Sequence, residues 1–229
     1  MNRIKFPPNS ILNHQNENTS PKEIFQEVCD LIGNYYQQFG FKYTRSRPKI
    51  TIKDSDFDIV IAFWSSSSNM AGRYINLEII GHAYSKKLAQ IDKIEGNTYK
   101  GFVLSHADFW TKLNSSNPNG CINTYLLDGQ LAVKQTKDIP YAIDRFNCNY
   151  NLYCITENQI DKIINYIDKY FVNQIIGLVN KENMKKFLEE LPFGKQLGID
   201  NNRFCKFIEL QFNNDGDLIE LIKIKQIMR

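Results

Sequence analysis

The sequence predicts an α+β protein: an antiparallel sheet packed by an N-terminal helix and followed by a C-terminal group of helices. Three observations predict it. Apolar residues recur at three- and four-residue steps after Ser20 and again after Thr156, the period of an amphipathic helix. Between those stretches, short runs alternate apolar and polar residues, the period of half-buried strands. Phe57 to Trp64 is a nearly continuous apolar run, as expected of a strand at the centre of a sheet.

The elements follow in chain order. Residues 1–19 are rich in Asn, hold a Pro-Pro step and have few large apolar residues after Leu12, so they read as an N-terminal tail or loosely docked arm. Residues 20–155 form the α+β sheet region. Its first helix starts with Ser20 as cap, Pro21 in the first turn and Glu23 completing a capping box. Ile24, Val28, Leu31, Ile32, Tyr35 and Phe39 supply one apolar stripe, and Gly40 supplies a left-handed stop. Strands are expected at Phe41–Tyr43, Ile50–Ile52, Phe57–Trp64 and Tyr74–Ile80, with Gly81 breaking the last. The small residues from Ser65 to Gly72 make an open, flexible loop. From Ser85 to Asn123 the pattern weakens to loop with short elements. Asp128-Gly129 predicts a tight hairpin within 124–133, and Tyr150–Ile155 a last strand.

Residues 156–229 form a helical C-terminal region expected to pack on the same domain. Thr156 and Gln159 make a second capping box, ahead of an apolar stripe of Ile160, Ile163, Ile164, Ile167 and Phe171. A shorter helix runs from Lys181 to Leu191 and ends at Pro192. Arg203–Gln211 and Leu218–Ile227 read as a terminal helical hairpin, with strands as the alternative.

Composition narrows the function. With 229 residues, 42% hydrophobic and 23% charged, the chain can bury a core and is far from the profile of disorder. A net charge of +3 with interspersed signs is too mild for a dedicated nucleic-acid binder. Five cysteines without a C-x-x-C pair suit reduced thiols, and no apolar run serves as a signal peptide or membrane span. The expected location is the cytoplasm, with no nucleic-acid or membrane partner.

Chemistry-bearing residues are few. Asp54, Asp56 and Asp58 alternate, which on a strand projects three carboxylates from one side, an arrangement able to hold a divalent cation for phosphoryl transfer. The Gly-Ser turn that nucleotidyltransferases place upstream is absent from Gly40-Phe41-Lys42-Tyr43, so the acids read as a solvated strand entrance. Glu78 with His82, and His106 with Asp108 beside Ser105, lack the partners of a metal site or a catalytic triad. No catalytic residue, metal site or cofactor is therefore expected. Aromatics make up 13% of the chain; Phe109-Trp110 and the group Tyr141, Phe146, Tyr150 and Tyr153 fall outside the helical stripes. Such residues, with Arg, are the usual anchors of protein interfaces.

The succession of helix, Gly40-Phe41-Lys42-Tyr43, Ile59-Val60-Ile61-Ala62-Phe63-Trp64, serine loop and Tyr74-Ile75-Asn76-Leu77-Glu78-Ile79 resembles a bacterial family of small α+β domains of unknown function. The resemblance spans residues 21–192, with Asn173 to Leu178 as the apolar break between two helices. Members of such families resemble immunity proteins encoded beside polymorphic toxins. The resemblance implies a cytoplasmic protein, not an enzyme, that binds a cognate toxin and occludes its active site. The mild positive charge disfavours a nucleic-acid mimic, so a toxin with another substrate is expected. The residues expected to meet the partner are Asp54, Asp56, Asp58, Asn69, Arg73, Phe109, Trp110 and Tyr141. The alternative is a metal-dependent nucleotide- or phosphoryl-transfer enzyme using the three aspartates.

Overall fold

A computed structural model describes residues 3–105, 149–173, 180–190 and 201–224. Phe109, Trp110, Tyr141, His106, Asp108 and the hairpin expected at 124–133 lie outside the described residues. Among those described, six strands form an antiparallel sheet and six segments form α-helices, which is the α+β class. The strands are β1 (Lys42–Thr44), β2 (Lys49–Lys53), β3 (Phe57–Trp64), β4 (Asn76–Ser85), β5 (Phe102–Ser105) and β6 (Asn149–Asn151). Their order is β1-β2-β3-β4-β5, and β6 pairs with β4. The helices are α1 (Pro21–Gln37), α2 (Lys86–Glu95), α3 (Glu157–Ile167), α4 (Lys181–Glu190), α5 (Asn201–Gln211) and α6 (Gly216–Ile224). The chain divides into two compact units. The first comprises Met1–Ile52, Ile61–Ile80 and Cys121–Asp168; the second comprises Lys53–Val60, Gly81–Gly120 and Lys169–Arg229.

In the first unit, α1 buries Ile24, Val28, Ile32 and Tyr36, an i, i+4 row, together with Cys29 and Gly33. The row differs from the expected one at its end. Phe39 lies beyond the last helical residue and is 59% exposed, because the chain has left the helical path on its way to Gly40, at φ +82°. Ser20 caps without a side-chain bond, so no capping box forms there. Tyr43 of β1 lies against Gly33, where an added Cβ would sit 2.3 Å from the ring, and its hydroxyl donates to Asp30 Oδ1 at 2.8 Å. The register Lys42↔Thr51, Tyr43↔Ile50 and Thr44↔Lys49 puts Tyr43 on the same face as buried Ile50.

Thr156 and Gln159 form the expected reciprocal capping box at α3, whose Ile160, Ile163, Ile164 and Ile167 are all buried. Tyr36 donates to Asp168 Oδ1 at 2.8 Å, which ties α1 to the end of α3. The N-terminal arm is anchored across the same helices. Ile4 and Leu12 are buried, Arg3 pairs with Asp168 at 2.8 Å, and Lys5 pairs with Glu157 at 2.8 Å.

The second unit corrects two expectations. β4 continues through Gly81, whose backbone remains extended, as far as Ser85. The stretch beginning at Ser85, expected as loop with short elements, opens with a full helix: Ser85 accepts a bond from Leu88 N–H, and α2 runs ten residues to a left-handed Gly96. Asp92 of α2 is buried and accepts both terminal amines of Arg203 from α5 as well as Gly101 N–H at 2.6 Å. Arg203 also donates Nε to Phe102 O at 2.9 Å and lies 4.7 Å from the Tyr99 ring centre. Phe204 and Phe207 of α5 are buried, and Phe207 meets Phe57 edge-on at 5.8 Å. The chain turns from α5 into α6 through Asn213 and Asn214, both in the left-handed region, completing the helical hairpin.

Candidate functional site

The acidic cluster belongs to the second unit and is not an alternating strand face. Asp54 and Asp56 lie in the turn between β2 and β3, and Asp58 alone sits in a strand. The reason is local: Asp54 Oδ1 accepts Asp56 N–H at 3.1 Å and the Ser55 hydroxyl at 3.1 Å, while Asp54 N–H donates to Phe57 O at 2.9 Å. An aspartate that bonds its own backbone two residues on makes a turn. Those donors, the Asp56 amide first, hold the Asp54 carboxyl below its ordinary pKa. The Lys86 ammonium donates to the Asp54 backbone carbonyl and lies 3.8 Å from Asp58 Oδ1. Among the described residues, no three His, Cys, Asp or Glu side chains converge on a point that could hold a metal ion.

The first unit offers a different arrangement at one end of its strands. Phe63 N–H donates to Pro48 O at 2.9 Å, which brings the β1–β2 turn (residues 45–48) beside the end of β3 and the start of the β3–β4 loop (residues 65–75). Strand alternation buries Phe57, Ile59, Ile61 and Phe63 and puts Trp64 on the other face, where it is 45% exposed. Met70 in the loop is 42% exposed, and Arg45, Arg47 and Arg73 are exposed.

The loop is held in one shape by its polar residues. Ser65 donates to Asn76 O at 2.8 Å, Asn69 donates to Ser65 Oγ at 2.8 Å, and Asn76 N–H donates to Asn69 Oδ1 at 2.8 Å. Met70 and Tyr74 exchange two backbone bonds at 2.8 and 2.9 Å. From β6, Asn151 accepts Ile75 N–H at 3.0 Å and donates to Arg73 O at 3.2 Å. Gly72, at φ +74°, passes so close to Glu17 that an added Cβ would lie 2.9 Å from its Cα. The serine loop, expected as an open connection, is tied together by hydrogen bonds among its own residues and to β6. Asn69, expected at the partner contact, spends both ends of its amide on shaping the loop. Arg73 stands exposed on it.

The arginine of the neighbouring turn is fixed in the same way. Asp30 Oδ1 receives the Tyr43 hydroxyl and Gln26, and Oδ2 receives Arg45 Nε at 2.9 Å. The Arg45 terminal amines have no partner among the described residues, and the side chain is 71% exposed. Sequence reasoning missed Trp64, Met70, Arg45 and Arg47. The period-two pattern of β3 does carry a signal for Trp64, which shares its face with Ala62 and Val60 rather than with the buried aromatics.

An open groove of about 530 Å³ in the same unit is lined by Phe6, Leu12, Gln15, Cys154 and the first turn of α3. Its polar rim is already committed: Glu157 accepts Lys5 and Phe6 N–H, and Gln15 accepts Cys154 N–H. No helix among the described residues is long and apolar enough to cross a membrane.

Fold and site together define an α+β protein on an antiparallel sheet that presents a braced, arginine-bearing loop end. No family model, curated protein or solved structure matches the chain.

Proposed function

We propose that this chain is a non-catalytic binding protein of the cytoplasm that neutralises a cognate toxin by covering its active site, and that the loop end of the first unit is the contact surface. The observation that carries the reading is the exposure of Trp64 at the end of β3 and of Met70 on the adjoining loop, which is braced by the Ser65–Asn69–Asn76 network. Trp and Arg are enriched where interfaces concentrate their binding energy, and Met is enriched in interfaces generally. Holding them on a fixed frame lowers the ordering cost of association. The resemblance to immunity proteins supplies the kind of partner, and steric occlusion requires no chemistry from the inhibitor. The aspartates give less support to a phosphoryl-transfer enzyme, since Asp54 and Asp56 lie in a turn and do not share a strand face with Asp58.

The test is co-expression with the product of the adjacent gene, which this reading expects to be a toxin. The parent chain restores growth, and the Trp64→Ala, Met70→Ala double variant does not. Growth arrest that persists with the folded parent chain overturns the reading.

A further inference from the structure

We infer that the loop end of the first unit recognises an acidic protein surface, one whose carboxylates ring an apolar centre. The inference rests on the proposed binding role and names the partner's chemistry. Residues 31–52 contain no acid, and neither do residues 61–77, yet the two turns they supply carry Arg45, Arg47 and Arg73, and Lys49 opens β2 beside them. Acids approach this end from elsewhere in the unit: Asp30 is taken up by Arg45 and Tyr43, the Glu17 backbone lies against Gly72, and Glu78 lies within β4. Arg47 and Arg73 have no ion-pair partner among the described residues.

The geometry favours carboxylates. Asp30 holds Arg45 by Nε alone, which leaves the paired terminal amines as a planar fork, the arrangement that binds a carboxylate through two parallel bonds. Trp64 and Met70 stand between the two arginine-bearing turns in chain order and share their end of the sheet, which places exposed apolar and cationic residues at one end. Protein interfaces combine an apolar middle with a polar rim. A phosphate backbone would instead favour a long basic tract and a strongly positive chain, and the net charge here is only +3.

The probe is a short fluorescein-labelled peptide of alternating glutamate and leucine, titrated against the full chain by anisotropy. A lysine–leucine peptide and an oligothymidine strand serve as controls. Binding of the acidic peptide that weakens with added salt, and falls about tenfold or more in Arg47→Glu with Arg73→Glu, supports the inference. Both positions are exposed, so the variant keeps the parent melting curve; Arg45→Ala gives a second, separate loss. No binding of the acidic peptide, equal binding by parent and variant, or binding of the oligothymidine in its place overturns it. The two proposals fail separately: toxin neutralisation that survives both charge reversals ends this inference and leaves the binding role standing.

Discussion

Single residues decide where charge and strain are held. Asp92 and Arg203 form a buried, two-pronged ion pair, with side chains 2% and 8% exposed. The Arg203 bonds, more than any other cause, keep the Asp92 carboxyl below its ordinary pKa of 3.8. Removing one partner leaves the other charge buried and alone. Asp92→Asn and Arg203→Met are each expected to lose about 3–5 kcal/mol in urea unfolding at neutral pH. The double replacement by Leu and Met loses less, because no orphan charge remains. The sign of the pH effect follows from the depressed pKa. The pair's stabilisation is present in full above the unfolded value of 3.8 and is lost as pH falls through the lower folded value. Unfolding curves collected between neutral pH and pH 3 should therefore show the parent losing its margin over the double variant. None of this was legible in the sequence, where Asp92 is one acid among alternating charges and Arg203 lies 111 positions away.

At the scale of elements, helix ends were partly legible. The Thr156–Gln159 box forms as its spacing predicts, whereas Ser20, with the same spacing to Glu23, makes no side-chain bond. Thr156→Ala and Ser85→Ala are each expected to cost about 1 kcal/mol in chemical denaturation, and Ser20→Ala to change stability little. Comparable losses for all three would contradict the assigned caps. The helix α2 escaped notice for a physical reason: among its ten residues only Leu88 and Asp92 are buried. A helix whose core face includes a charged residue gives a faint apolar stripe. Its Ser85 cap and Gly96 stop were the stronger signal. Gly81 misled in the opposite sense, because a glycine can continue a strand whenever its backbone stays extended. The aspartate triad shows the limit of periodicity: alternation projects one face only if the residues are in a strand, and Asp54 instead folds the chain back on itself.

For the whole molecule, the α+β class, the first and third helices and the terminal hairpin were readable because long amphipathic periods and turn residues specify them locally. The candidate site was not, since it draws on two turns separated in sequence by β2 and β3 and brought to one end of the sheet by the Pro48–Phe63 pairing. Arg73 was singled out in the sequence, and its companions Arg45, Arg47, Trp64 and Met70 were not. The central claim is that this end of the sheet binds a toxin. Isothermal titration of the purified product of the adjacent gene against the parent chain and against Trp64→Ala tests it most directly. The account predicts a one-to-one complex for the parent and a loss of at least about 2 kcal/mol of binding free energy on truncating Trp64, with both proteins melting alike. Parent and variant binding with equal affinity, or no heat of binding for the parent, would contradict it.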